Sequence, residues 1–293
     1  MACSFRGSYV ALPTPFSSGA VDFEALERLV DWHVTKHSDG LVAVGTTGEG
    51  ATLSDYERRS VIERVIERSA KRLPVIAGVG TNNTAQSIEL VKFARDAGAD
   101  GALVVTPYYT KPPPRGLVAH FTAIAEASEV PVVLYNVPSR TGCDMRAATI
   151  AEIRRRSPNA VAIKEASGSM GRAREIRAAS DIALIAGEDA LIAEFMNMGA
   201  VGVIGVVANV APTQTAELCR VARPGGDAMR AAELVAFLAP LVRDLFIESN
   251  PVPVKTALAA MGKMREDVRL PLVALEPENR EQLLSSLHEA GLV

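Results

Sequence analysis

Several things are scarce in this chain of 293 residues, and each shortage excludes a class of protein. Cysteine occurs three times, at Cys3, Cys143 and Cys219, an odd number, far apart and without a CxxC spacing. A disulfide framework and a zinc knuckle are therefore not indicated, and a reducing cytoplasm is the expected setting. No uncharged apolar run approaches the roughly 18 residues needed to cross a bilayer, and the segment Met1 to Gly7 lacks the apolar core of a secretory signal. No excess of one charge occurs either: the formal net charge is −3, and arginines alternate with acids in stretches such as Asp55-Tyr56-Glu57-Arg58-Arg59, Glu63-Arg64 and Glu67-Arg68. These read as solvated helix faces supported by i,i+4 pairs, and no stripe for nucleic acid is expected. No Walker sequence occurs, and Gly78-Val79-Gly80-Thr81-Asn82-Asn83 lacks the third glycine of a dinucleotide fingerprint. His33 and His37 have i,i+4 spacing, but no HExxH accompanies them, so they are assigned to a solvated helix face and no metal is expected.

What is present is a rhythm. Eight short, β-rich apolar runs recur: Tyr9–Leu12, Leu41–Val44, Pro74–Ala77, Ala102–Val105, Pro131–Tyr135, Ala160–Ile163, Ile182–Ile185 and Val201–Ile204. Such continuous runs suit parallel strands covered on both faces, and the intervals, such as Asp22 to His37 and Ser54 to Arg72, have helical periodicity. Eight βα units in roughly 220 residues predict a (β/α)₈ TIM barrel, favoured over an open doubly wound sheet. The barrel is assigned to residues 1–224, and 225–293 to a C-terminal helical extension with helices near Asp227–Ile247, Pro253–Lys263 and Pro277–Ala290.

Barrel enzymes build their sites at the C-terminal ends of strands, so those ends list the available chemistry. Lysine is scarce, seven in all, and Lys164 ends the sixth run. An ammonium taken out of water is more readily neutral, and a neutral amine attacks carbonyl carbon, which makes Lys164 a candidate Schiff-base former. The competing reading is a strand exit whose charge snorkels outward. Lys255, in Pro251-Val252-Pro253-Val254-Lys255, is the rival in apolar company, but it is expected to open a helix and to be structural.

After the second run, Gly45-Thr46-Thr47-Gly48-Glu49-Gly50 offers hydroxyls and backbone N–H groups suited to a carboxylate. The fourth run leads to Thr106-Pro107-Tyr108-Tyr109, and the fifth ends in Tyr135-Asn136-Val137-Pro138-Ser139-Arg140-Thr141-Gly142. A tyrosine can move protons during imine formation, and an arginine can hold a carboxylate in a bidentate fork. Each residue has a bland alternative as a packing or surface group. Their coincidence at successive strand ends carries the reading. The ends Gly187-Glu188-Asp189 and Gly205-Val206-Val207 lack the paired glycines of a phosphate cup, favouring a non-phosphorylated substrate.

Gly45-Thr46-Thr47-Gly48-Glu49, Tyr135 to Gly142 and Ile163-Lys164-Glu165-Ala166, together with Asn250-Pro251-Val252-Pro253-Val254-Lys255, resemble the dihydrodipicolinate synthase family, within the class I pyruvate aldolases of the N-acetylneuraminate lyase superfamily. The resemblance runs from about Gly7 to the C-terminus. It implies condensation of pyruvate with L-aspartate 4-semialdehyde on the diaminopimelate and lysine pathway, in a cytoplasmic homotetramer, a dimer of dimers, with no cofactor. Lys164 would form the imine and Tyr135 would transfer protons, linked to Thr46 and to Tyr109 from a neighbouring subunit. Thr47 and backbone near Ile204 would hold the pyruvate carboxylate, and Arg140 the semialdehyde carboxylate. A cleft matching Gly50, Ala51, Asp55, Arg58, Asn82, Gln86 and Tyr108 binds lysine in feedback-inhibited relatives, where the positions of Arg58 and Gln86 are typically histidine and glutamate. The substitutions here imply weak or absent inhibition. The alternatives carried alongside are a sialic-acid or keto-sugar-acid lyase of the same superfamily and a non-catalytic barrel that binds pyruvate or an amino acid.

Overall fold

The structure, a computed structural model, describes residues 5–293; Cys3 and the start of the N-terminal segment lie outside the described residues. Eight parallel strands close into a barrel: β1 (Gly7–Ala11), β2 (Gly40–Ala43), β3 (Val75–Gly78), β4 (Gly101–Val105), β5 (Val132–Asn136), β6 (Ala160–Glu165), β7 (Ala183–Ala186) and β8 (Gly202–Gly205), with β8 pairing back onto β1. All eight apolar runs are strands, displaced by a residue or two from the sequence boundaries. The predicted (β/α)₈ barrel is the observed fold. A small antiparallel hairpin, Phe16–Ser17 with Ala20–Val21, was not foreseen; two-residue strands leave no periodicity to read.

The strands are buried almost throughout because each faces two apolar layers. Inward, Tyr9, Val42, Ile76, Leu103, Val133, Tyr135, Ile185 and Ile204 fill the barrel. Outward, residues such as Val10, Leu41, Ala77, Val104, Leu134 and Ile163 meet a ring of helices. Those helices are α1 (Phe23–Thr35), α2 (Asp55–Ser69), α3 (Thr84–Asp96), α4 (Pro114–Glu126), α5 (Ala147–Arg156), α6 (Met170–Ala179), α7 (Ile192–Asn197) and α8 (Pro212–Val221). Their starts follow local chemistry. Asp22 accepts from the Ala25 N–H at 2.9 Å, and Ser54 forms a reciprocal capping box with Glu57 at the head of α2.

The acid–arginine stripes form pairs within and between helices: Asp55 meets Arg59 at 2.8 Å along α2, while Arg64 reaches Glu27 on α1 at 2.6 Å. Arg58 departs from the expected solvated face. It turns inward and donates to the Gly50 carbonyl at 2.6 Å. His33 also corrects its assignment: it is fully buried in α1, its Nδ1 3.0 Å from Ser38 Oγ, and burial lowers its pKa to about 3. Leu26, Leu29 and Val30 share its apolar face, so the i,i+4 spacing with exposed His37 does not bring the two onto one solvated surface.

Three helices follow the barrel: α9 (Ala228–Asp244), α10 (Val252–Ala260) and α11 (Pro277–Glu289). Leu283 and Leu287 of α11 are fully buried. The Asp244 carboxylate at the end of α9 accepts from Ser286 Oγ at 2.5 Å and Gln282 Nε2 at 2.7 Å, which fixes α11 against α9. Arg269, in the connection between α10 and α11, donates to Glu57 at 2.5 Å, to Thr52 O and to Gly19 O. These bonds draw the C-terminal segment across the mouth of the barrel. No helix among the described residues is long and apolar enough to cross a membrane.

Candidate active site

Lys164 sits on β6 directly opposite Tyr135 on β5, and its ammonium lies 4.5 Å from the centroid of the Tyr135 ring. Side chains on neighbouring parallel strands point to the same side when they are in register, so the two are delivered into the barrel together. Lys164 is 7% exposed, which excludes the reading in which it snorkels outward. The Tyr135 hydroxyl lies 3.4 Å from Thr46 Oγ1, on the loop after β2. Amine, phenol and alcohol, predicted from three separate motifs, thus form one line.

That loop is tightly built. Val44 and Glu49 bracket Gly45–Gly48, and both adopt left-handed conformations, with φ of 57° and 52°. A Cβ at Gly78 would overlap the Val44 carbonyl, so glycine on β3 is what allows Val44 to turn there. Thr47 is buried and its hydroxyl accepts from Asn250 Nδ2 at 3.0 Å. With its lone pair engaged, the Thr47 proton is free to be donated, as a carboxylate ligand requires. Asn250 was quoted from the sequence without a role; its tie to Thr47 spans 203 positions and has no local signature.

Beside Tyr135 and Thr46 opens a cavity of about 360 Å³ whose lining also includes Arg140, Asn250 and Leu272; Lys164 and Thr47 lie outside that lining. Arg140 follows β5 on a short helical turn, exposed, with Nη2 3.3 Å from the Asn250 carbonyl. Ile204 is fully buried among the interior side chains, outside the lining. Tyr109 stands apart: it is 88% exposed, at a φ of 69°, and makes no contact with Tyr135 within its own chain. Of the cleft residues, Gly50, Ala51, Arg58 and Tyr108 line the same cavity, whereas Asp55, Asn82 and Gln86 do not.

The acids around Lys164 were missed by sequence reasoning. Glu165 is buried behind the nucleophile; it accepts from Asn136 Nδ2 at 3.1 Å and the Ser167 N–H at 2.8 Å, and burial raises its pKa. Asn136 also reaches Asp144, which holds Arg172. Glu188 is pushed up by burial and by neighbouring Asp189, against the pull of Lys164 and Arg140. Asp189 is buried and accepts from the N–H groups of Val206 (2.8 Å) and Val207 (3.0 Å). The signal available in Gly187-Glu188-Asp189 is the pair of acids at a strand end facing a lysine, not the absence of a phosphate cup.

The chain as a whole has full-length counterparts among known proteins. The profile of the dihydrodipicolinate synthetase family matches residues 4–290. The chain belongs to that family. A 4-hydroxy-tetrahydrodipicolinate synthase of Alcanivorax borkumensis is 49% identical over 291 residues, 98% of each chain. The crystal structure of dihydrodipicolinate synthase from Aquifex aeolicus superposes with a TM-score of 0.96 at 43% identity, covering 98% of this chain and 99% of that one. The chloride-inhibited dihydrodipicolinate synthase of Acinetobacter baumannii, complexed with pyruvate, gives 0.95 at 46% identity over 98% and 99% of the chains. As a family member the chain is a lyase of the class I aldolase type.

Proposed function

We propose that the protein is a 4-hydroxy-tetrahydrodipicolinate synthase, condensing pyruvate with L-aspartate 4-semialdehyde. The observation that carries the reading is the register pair Lys164 and Tyr135, with Thr46 at the phenol, inside a chain whose full-length relatives bear that name. The Lys164 amine attacks the keto carbon of pyruvate, and the carbinolamine loses water as Tyr135 delivers a proton to the departing hydroxyl. The resulting imine is a stronger electron sink than the ketone, so a methyl proton leaves and an enamine forms. The enamine carbon attacks the aldehyde carbon of the second substrate. The amino group of that substrate then displaces Lys164 from the imine carbon, closing the ring and freeing the enzyme.

The Thr47 hydroxyl and backbone near Ile204 serve the pyruvate carboxylate, and Arg140 at the rim of the cavity serves the carboxylate of the semialdehyde. Exposed Tyr109, held left-handed at the barrel mouth, is consistent with a second subunit as the destination of its side chain, and the assembly read from the family resemblance is a homotetramer. The product feeds diaminopimelate and lysine synthesis in the cytoplasm. Borohydride reduction in the presence of pyruvate, with mass spectrometry, followed by a coupled assay with the semialdehyde, tests the reading. One reduced pyruvyl group per chain and turnover of the second substrate are expected; an unmodified chain would sink it.

A further inference from the structure

Val44 and Glu49 bracket the turn that carries Thr46 and Thr47, and both hold backbone conformations that L-residues rarely adopt. Such conformations persist only where the surroundings over-determine them. Around Val44 the restraint is steric: a Cβ at Gly48 or Gly78 would collide with its backbone. Around Glu49 the restraint is electrostatic, and it comes from the far end of the chain.

The Lys255 ammonium on α10 is wholly buried and bonded to Glu49 Oε1, and it also donates to the Asp267 carbonyl at 2.8 Å and lies 4.1 Å from the Phe16 ring centroid. The other Glu49 oxygen accepts from the Arg269 N–H at 3.3 Å. Five residues before Lys255, Asn250 holds the Thr47 hydroxyl. The segment Asn250–Lys255 therefore grips one active-site turn at two points, and the Glu49 N–H bonds back to the Thr46 carbonyl at 3.1 Å. A buried ion pair adds little net stability over apolar residues of the same shape, so stability alone is a poor account of it.

We propose that Lys255 is a positioning residue: acting through Glu49, it holds the Thr46–Thr47 turn against Tyr135 so that pyruvate binds and forms its imine on Lys164. The inference rests on the reading of Lys164 as the Schiff-base lysine. The structural role foreseen for Lys255 thereby becomes a role in the reaction, exerted across 206 positions of sequence.

The test compares the parent, Lys255→Met/Glu49→Gln, Glu49→Asp and, as a control, Asp244→Asn. For each, the fraction of Lys164 trapped by borohydride is measured against pyruvate concentration, alongside thermal melting. The double variant removes both charges together and is expected to fold, with the half-saturating pyruvate concentration raised about tenfold or more. Glu49→Asp keeps both charges but retracts the carboxylate by one methylene, and the same direction of change is expected. Asp244→Asn, which loosens α11 far from the turn, should lower the melting temperature and leave half-saturation unchanged. A folded double variant, or a folded Glu49→Asp, with the parent's half-saturation overturns the proposal. If the parent itself traps no pyruvate, the proposed function fails instead.

Discussion

Lys164 and Tyr135 face each other across the β5–β6 ladder, one residue on each strand, with the ammonium 4.5 Å from the ring centroid. The pairing is a matter of register. A slip of one residue in either strand would send that strand's side chain into the helix layer, where Asn136 and Glu165 now form their own hydrogen bond, and leave the other without its partner.

Covalent chemistry at Lys164 follows from its burial at this strand end. With pyruvate and borohydride, the adduct should map to the peptide containing Lys164 and vanish in Lys164→Ala. Lys255, sealed from solvent and bonded to Glu49, should stay unmodified in both. An adduct surviving Lys164→Ala would move the nucleophile elsewhere.

Tyr135→Phe keeps the ring beside the amine and removes the hydroxyl that meets Thr46. The rate of imine trapping should fall by about 10²–10⁴, the usual contribution of a positioned acid–base group, with little change in melting temperature. A trapping rate equal to the parent's would remove Tyr135 from the proton path.

Arg140→Ala should spare the pyruvate adduct and cost the semialdehyde step about 2–4 kcal/mol in kcat/KM, as for an unpaired charged contact. Arg140→Lys should rescue only partly, because a point charge does not reproduce the planar fork. Steady-state kinetics with each substrate varied in turn separate the two steps; an unchanged KM and kcat for the semialdehyde argue against the assignment.

Feedback by lysine should be weak. Arg58 lines the cavity and spends a donor on the Gly50 carbonyl, and Gln86, outside that lining, carries no charge for an α-amino group. Loss of one charged partner is worth about 1.5–3 kcal/mol, roughly a ten- to hundredfold weakening. A lysine titration at subsaturating pyruvate should show half-inhibition no lower than about 1 mM, which corresponds to binding of roughly 4 kcal/mol. Tighter inhibition would mean that the cleft binds lysine through other contacts.

Acid should act at the Glu57–Arg269 pair. The hydrogen bond from Arg269 lowers the Glu57 pKa from 4.5 to about 2. Because the folded value lies below the unfolded one, this stabilisation is present above about pH 4.5 and is lost as pH falls towards 2. The pair is about one-quarter exposed, so screening holds its worth to about 1 kcal/mol or less. Urea melts of the parent and Glu57→Gln should converge over that window and differ at neutral pH; a constant gap would exclude the linkage.

The barrel was legible because its strands are buried on both sides, and unbroken runs such as Val132-Val133-Leu134-Tyr135 have few other uses. Lys164 and Tyr135 stand out in the sequence because a charge or a phenol at the end of such a run needs a reason, and Arg140 because it follows one of those ends closely. What escaped was relational. Asn250 with Thr47, Lys255 with Glu49, and Arg269 with Glu57 are each separated by more than 200 positions, and no local pattern encodes the partner. His33 escaped for another reason: spacing gives the angle between two residues on a helix, not which way that face points. The left-handed turn at Val44 depends on Gly78 of a neighbouring strand as well as on Gly48 of its own loop, and valine itself advertises the opposite preference.

The Lys255–Glu49 bond also bears on how such chains can be recombined. The cation lies beyond residue 224 and the anion lies in the second βα unit, so a crossover at the end of the barrel inherits one charge from each parent. Two homologues that both keep the pair would exchange tails freely at this locus. Paired with a homologue that had replaced either member, the hybrid would strand an ion in the dry interior, and its viability would be decided by one residue at each end of the gene.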